Sequence, residues 1–180
     1  MRFSTVLAIL PVVSAFAIVP RATDQTQAIL KNLTTIENDI VTLNNTLNSE
    51  SDDTAYNFFE LNAIQAQSNQ ITSDVNSTAG TANSSTVATA SESQQVLNEV
   101  SNNLAPKIYS LLNNLVAHKP GFDKGGISPT VLNSLQTQRE QTRELGNALL
   151  AKTDSSLKTQ ANNQNNQILS HFDSAISAYS

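Results

Sequence analysis

The chain has 180 residues, no cysteine, and 15 acidic against 10 basic side chains. Zero cysteines exclude disulfides, thiol catalysis and thiolate metal sites, and the acidic balance argues against nucleic acid and anionic membrane surfaces as partners. Only 14% of residues are charged, yet the apolar residues recur with a strict period, which separates this composition from disorder.

Arg2 gives a positive start, Val6 to Phe16 is an apolar run broken by Pro11 and Ser14, and Ala15-Phe16-Ala17 fits the small-x-small rule for signal peptidase. Residues 1–17 are therefore expected to be a signal peptide, with residues 18–22 a candidate short pro-segment trimmed after Arg21. A membrane span needs about 20 apolar residues, and this run stops at Pro20-Arg21. No later segment approaches that length, so no transmembrane segment is expected. Loss of Arg2 leaves 9 basic against 15 acidic residues, a net charge of −6, on a single domain spanning 23–180.

The first helix is expected from Thr23, which would cap it. Ile29, Leu33, Ile36, Ile40, Leu43 and Leu47 recur at steps of three and four and form a one-sided stripe. Ser49 to Asp53 reads as a polar turn. A second helix is expected from Asp53 or Thr54, through Tyr56, Phe59, Ala63, Ala66 and Ile71 to about Val75, with Phe58, Leu61 and Ile64 widening its apolar face. Asn76 to Ser85, small, polar and centred on Gly80, reads as an exposed loop.

The third helix is expected to begin at Ser84 to Thr86 and to carry Val96, Val100, Leu104, Ile108, Leu111 and Leu115, kinked where Pro106 removes a backbone donor and leaves the Asn102 carbonyl without its partner. His118 to Ser128 holds three glycines and a proline and reads as a loop. Ser128-Pro129 then opens a fourth helix, serine capping and proline in the first position. Val131, Leu135, Thr142, Leu145 and Leu149 line it to about Lys152. Asp154 is placed to cap a fifth helix carrying Leu157, Ala161, Ile168, Phe172, Ala175, Ile176 and Tyr179, with Gln160 to Gln167 read as its solvated face. Strand alternation and hairpin-turn dipeptides are missing. The fold class is all-α, an antiparallel five-helix bundle.

Nothing in the chain assembles a catalytic or metal site, and no cofactor is expected. Nucleophile-elbow, zincin and EF-hand patterns are absent. His118, Lys119 and Asp123 read as surface-loop residues, and the pairs Asp52/Asp53 and Glu140/Glu144 sit at a turn and on a polar face. Four N-x-S/T sequons, at Asn32, Asn44, Asn76 and Asn83, are glycosylation candidates, the last two favoured by the expected loop. The apolar stripes carry the functional question. For most of their residues the role is simply core. High aliphatic content and small residues beside the stripes (Ala55, Ala63, Ala66, Ala88, Ala90) leave room for a ligand between helices as the alternative. Burying sixteen carbons at about 0.8 kcal/mol each gives roughly 12 kcal/mol before the costs of association.

The helix ILKNLTTIENDIVTLNNTLN and the later run VLNEVSNNLAPKIYSLLNNLVAHKPGFDKGGISPTVLNSLQTQRE resemble the fungal hydrophobic surface binding protein A family, also called the cell wall mannoprotein 1 or antigenic galactomannoprotein family. The resemblance spans about Thr23 to Ser180 through diffuse hydrophobic spacings. It implies a five-helix bundle, secretion or residence in the cell wall, and glycosylation. Some members are similar to fatty-acid carriers; others adsorb to hydrophobic solids and recruit a secreted hydrolase. The end of this chain, FDSAISAYS, lacks the stalk and hydrophobic tail of a GPI signal. Three readings follow: a carrier of fatty acid or other apolar ligand, an adsorber to hydrophobic surfaces, and a structural galactomannoprotein bound to wall polysaccharide. For the carrier, periodicity selects Phe59, Ile64, Leu104, Ile108, Leu111, Leu145, Leu149 and Phe172 as lining, with Tyr109 as a polar handle.

Overall fold

The structure, a computed structural model, describes residues 22–49 and 56–180. The signal peptide, the residues up to Arg21, and positions Asp52, Asp53, Thr54 and Ala55 lie outside the described residues. Among the described residues the regular elements are all helical: α1 (Ala22–Asn48), α2 (Phe58–Ser84), α3 (Ala90–Glu99), a π-turn (Val100–Leu104), α4 (Ala105–Ala117), the short α5 (Lys119–Lys124), α6 (Ser128–Lys152), a 3-10 turn (Ser155–Leu157) and α7 (Lys158–Tyr179).

Helix α1 begins at Ala22, so Thr23 lies inside the first turn rather than capping it. All six residues of its stripe, Ile29 to Leu47, are buried. Helix α2 departs more from expectation. It starts at Phe58 on an Asn57 capping box, in which the Asn57 side chain accepts from the Phe59 and Glu60 amides and Glu60 reaches back to the Asn57 amide. It then continues to Ser84, straight through the expected loop. Ile71, Val75, Thr78, Ala79 and Ala82 are buried in succession. The stripe thus persists in small residues, which let α2 lie close against α1, where Asn32 Nδ2 donates to Thr81 Oγ1 at 3.3 Å. Phe59, Ala63 and Ala66 point to solvent instead, as does Ala90 on α3.

Helix α3 starts at Ala90, later than expected, on a second capping box made by Thr89 and Glu92. The Thr89 backbone N–H and hydroxyl hold the Glu92 carboxyl below the usual carboxylate range against the opposing effect of burial. The π-turn lies directly before Pro106. The Ala105 amide bonds back to the Val100 carbonyl, an extra residue in the turn where the proline has no donor to offer.

The expected loop after α4 is also helical. His118 and Phe122 are buried, at 1% and 0% exposure, and only Gly125-Gly126 forms the turn, Gly126 at φ 70°. Helix α6 has no side-chain cap at its start; Ser128 sits in the first turn and hydrogen-bonds Asp123. Asp154 caps the 3-10 turn, accepting from the Ser156 amide at 2.9 Å, rather than the long helix; α7 starts after Leu157 without a side-chain cap and runs unbroken through Gln160 to Gln167.

The long rods contact one another in a cycle: α1 with α2, α2 with α6, α6 with α7, α7 with α4, and α4 with α1. Cross-links give the directions. Asn32–Thr81 and Gln67–Thr46 make α1 and α2 antiparallel, and the bidentate Arg139–Asp173 pair, at 2.5 and 3.0 Å, joins α6 to α7. Glu37–Lys107 and Asn114 with Asn44 and Asn48 make α1 and α4 parallel. Gly146 brings α6 against α7; a Cβ there would stand 2.1 Å from Asn165 Oδ1.

One cross-link is pH-sensitive. Burial, a hydrogen bond with Asp74 and the charge of Asp74 raise the Asp39 carboxyl to about 6. When Asp39 is ionised, its buried Oδ2 has no donor; the proton Asp39 takes up lets it hydrogen-bond Asp74 and holds α1 to α2. The folded pKa lies above the ordinary carboxylate value, so this stabilisation is full near pH 4 and is lost as pH rises through about 6. Asp39→Asn is expected to stabilise the protein at pH 7.5 by about 1 kcal/mol, after discounting for solvent screening, and by nearly nothing at pH 4. Thermal melts at the two pH values test this; equal differences at both would refute it.

Candidate functional site

Among the described residues, the inward faces of the rods line four small cavities that follow one another along the inside of the cycle. The first, about 50 Å³, lies between Leu43, Leu61, Ile64, Leu115, Val131 and Leu135. Gln138 separates it from the second, about 40 Å³, which is walled by Ile40, Ile71, Leu111 and Phe172. Leu104, Ile108 and Thr142 belong to both the second and the third, about 70 Å³, where Leu145 and Ile168 complete the wall. Val96, Leu149 and Thr153 divide the third from the fourth, about 20 Å³, which ends among Gln25, Ser93 and Lys152.

Seven of the eight lining residues expected from periodicity border this line: Ile64 the first cavity, Leu104, Ile108, Leu111 and Phe172 the second, Leu145 and Leu149 the third. Phe59 does not; it is 82% exposed in the first turn of α2, one residue out of step with the buried face. Tyr109 also borders none of the four. It stacks on His171 with ring centroids 3.7 Å apart in the α4–α7 seam, where burial raises its hydroxyl pKa.

Sequence reasoning missed the polar lining. Gln138, Gln141, Lys152 and Thr153 all border cavities. Gln138 Nε2 donates to Ser68 Oγ at 2.9 Å, whereas Gln141 Oε1 is buried without a partner. A signal existed in the spacing: Leu135, Gln138, Thr142, Leu145 and Leu149 keep helical steps through the polar positions.

The end beyond the first cavity is closed by a fixed cluster. His118 is not a surface residue. Its Nδ1 lies 2.7 Å from the Tyr56 hydroxyl, and the Tyr56 ring stacks on Phe122 at 4.6 Å. The Tyr179 hydroxyl donates to the Leu115 carbonyl, and Lys119 pairs with Asp123 at 2.7 Å while lying 5.8 Å over the Tyr179 ring. Among the described residues, no group of three or more His, Asp or Glu side chains is placed to hold a metal, and no helix is long and apolar enough to cross a membrane.

Fold and interior define an all-helical protein whose rods surround a narrow, mostly aliphatic line. The model of the hydrophobic surface binding protein A family matches residues 26–151, and the chain belongs to that family. Solved structures share its fold. AfMP4p, solved in complex with palmitic acid, is 29% identical with a TM-score of 0.81, over 86% of this chain and 99% of that one. Ligand binding domain 1 of the Penicillium marneffei MP1 protein, complexed with arachidonic acids, is 19% identical with a TM-score of 0.78, over 89% and 99%. Domain 2 of the same protein, with multiple arachidonic acids, is 16% identical with a TM-score of 0.77, over 90% and 98%. No curated protein sequence is significantly similar to the chain.

Proposed function

We propose that this protein is a secreted, non-catalytic carrier that holds a fatty acid or similar apolar molecule between its helices, arranged as an antiparallel five-helix bundle bent at Pro106. The carrying observation is the line of aliphatic cavities running the length of α1, in a fold whose 29% identical counterpart was solved with palmitic acid. The cavities, none above about 70 Å³, are far below the roughly 300–1,000 Å³ of ordinary ligand sites. Loading therefore requires the rods to part, with Leu104 and Ile108 yielding at the centre, and the hydrophobic gain from the acyl chain offsets the lost helix contacts.

Native mass spectrometry of the protein purified from its host, followed by melting of the delipidated protein with palmitate, tests this. Bound lipid is expected, and palmitate at a hundred times its Kd should stabilise by about 2.7 kcal/mol. No lipid and no thermal shift would sink the carrier reading.

A second reading, adsorption to hydrophobic solids with recruitment of a secreted hydrolase, draws on the family and on exposed Phe59, Val87 and Val41. It expects depletion by polymer beads without stoichiometric lipid. A structural galactomannoprotein would instead extract with wall polysaccharide. In each reading the protein is free or loosely wall-associated. Of the four sequons we assign glycans to Asn76 and Asn83, whose side chains are exposed. Asn32 and Asn44 are half-buried and hydrogen-bonded to Thr81 and Asn114.

A further inference from the structure

The four cavities are chemically unequal along their length, and the inequality orients an acyl ligand. The first three are lined by aliphatic, aromatic, hydroxyl and amide groups only. The second is bordered by Gln141, whose Oε1 is buried without a partner; a neutral amide carries no charge to pair with a carboxylate. Among the described residues, the only charged side chain bordering any of the four is Lys152, in the fourth cavity.

Lys152 is the last residue of α6 and is half-buried. Its Nζ donates to the Ser85 carbonyl at 2.6 Å, which uses one of the three donors of an ammonium. No carboxylate pairs with it among the described residues. Its own carbonyl accepts from the Ala88 amide at 2.8 Å, which fixes the α6 terminus against the segment before α3. Around it stand the hydroxyls of Ser93 and Thr153 and the amide of Gln25, whose oxygen is taken by Thr86. A half-buried cation with two donors in hand, at one end of an otherwise neutral apolar line, is matched by a ligand with one anionic end and a long hydrocarbon tail.

We propose that Lys152 is the carboxylate anchor, and that the acyl chain runs from it past Leu149, Leu104 and Ile108 toward Leu43 and Leu135. From Gln25 to Leu43 the line follows 18 residues of α1, about 27 Å, longer than an extended sixteen-carbon chain. This assignment rests on the carrier reading and gives it a direction and a specificity: fatty acids over fatty alcohols and esters.

The test titrates palmitate and hexadecanol into the delipidated protein, unmutated and as Lys152→Met and Lys152→Arg. In the unmutated protein palmitate should bind about tenfold more tightly than hexadecanol, the size of a charge-assisted contact. Lys152→Met should erase that preference by weakening palmitate about tenfold more than hexadecanol, and Lys152→Arg should keep it. Undiminished palmitate preference in Lys152→Met overturns the anchor but leaves the carrier standing. Binding of neither ligand by the unmutated protein overturns both. A measurement without mutation covers the case of a variant that does not fold. Palmitate labelled at its carboxyl carbon should show NMR contacts to the Lys152 methylenes and the Thr153 methyl; contacts to Leu43 and Leu135 instead refute the orientation.

Discussion

Phe122→Ala is expected to lower stability by about 3–5 kcal/mol, the usual cost of emptying a fully enclosed phenylalanine site. The ring has 0% exposure and sits in α5, a helix too short to be stable alone. It stacks on Tyr56, whose hydroxyl meets buried His118. Removing it therefore costs more than its own apolar area. Tyr56 loses the surface that fixes its ring, and a loosened Tyr56–His118 bond leaves buried polar atoms exposed to each other's absence. The α5 segment also joins α4 to α6, so its loosening releases the end of both rods. Urea unfolding should show the midpoint falling with little change in slope, and palmitate binding should survive below the new transition. A loss under 1 kcal/mol would show that α5 is peripheral rather than a closure.

Leu104→Phe should have the largest effect on binding. Leu104 borders both the second and third cavities, between the two. The extra ring atoms fit into cavities of about 40 and 70 Å³, so the overpacking penalty of roughly 1–3 kcal/mol should largely be avoided. The same atoms occupy the path an acyl chain must take. We expect palmitate affinity to fall at least tenfold, about 1.4 kcal/mol, with a melting temperature within a few degrees of the unmutated protein. Leu104→Ala is the control. It enlarges the cavities, should cost about 2–5 kcal/mol, and should keep palmitate binding. Unchanged affinity in Leu104→Phe would place the ligand elsewhere.

Where apolar residues are large and regularly spaced, the fold was legible. Helix α1, the carrier of Ile29 to Leu47, and the Leu104–Ile108–Leu111–Leu115 face lie as their spacing predicts, with every residue buried. Helix α2 was read out of phase because Phe59, Ala63 and Ala66 form a helical series of their own. The true face passes through Leu61, Ile64, Ser68, Ile71, Val75, Ala79 and Ala82, and its last third is built of alanine and threonine. Small side chains carry little hydrophobic signal but permit close helix contact, so Asn76 to Ser85 resembled a loop. His118 was misplaced for a related reason. Proline and three glycines suggested a loop, but the glycines admit a tight helical turn that buries His118 and Phe122, a tertiary effect without a local mark. The cavity line was legible as aliphatic residues, whereas its polar members were hidden because glutamine and lysine on a helix ordinarily face water.

The central claim is that the apolar partner lies inside the bundle and not beneath it. A doxyl-labelled stearate added to methyl-labelled protein tests this most directly. Loss of the Leu104, Ile108 and Leu145 methyl signals, with the exposed Val41 and Val87 signals retained, is the expected result. Broadening of Val41 and Val87 with the interior methyls untouched would contradict it.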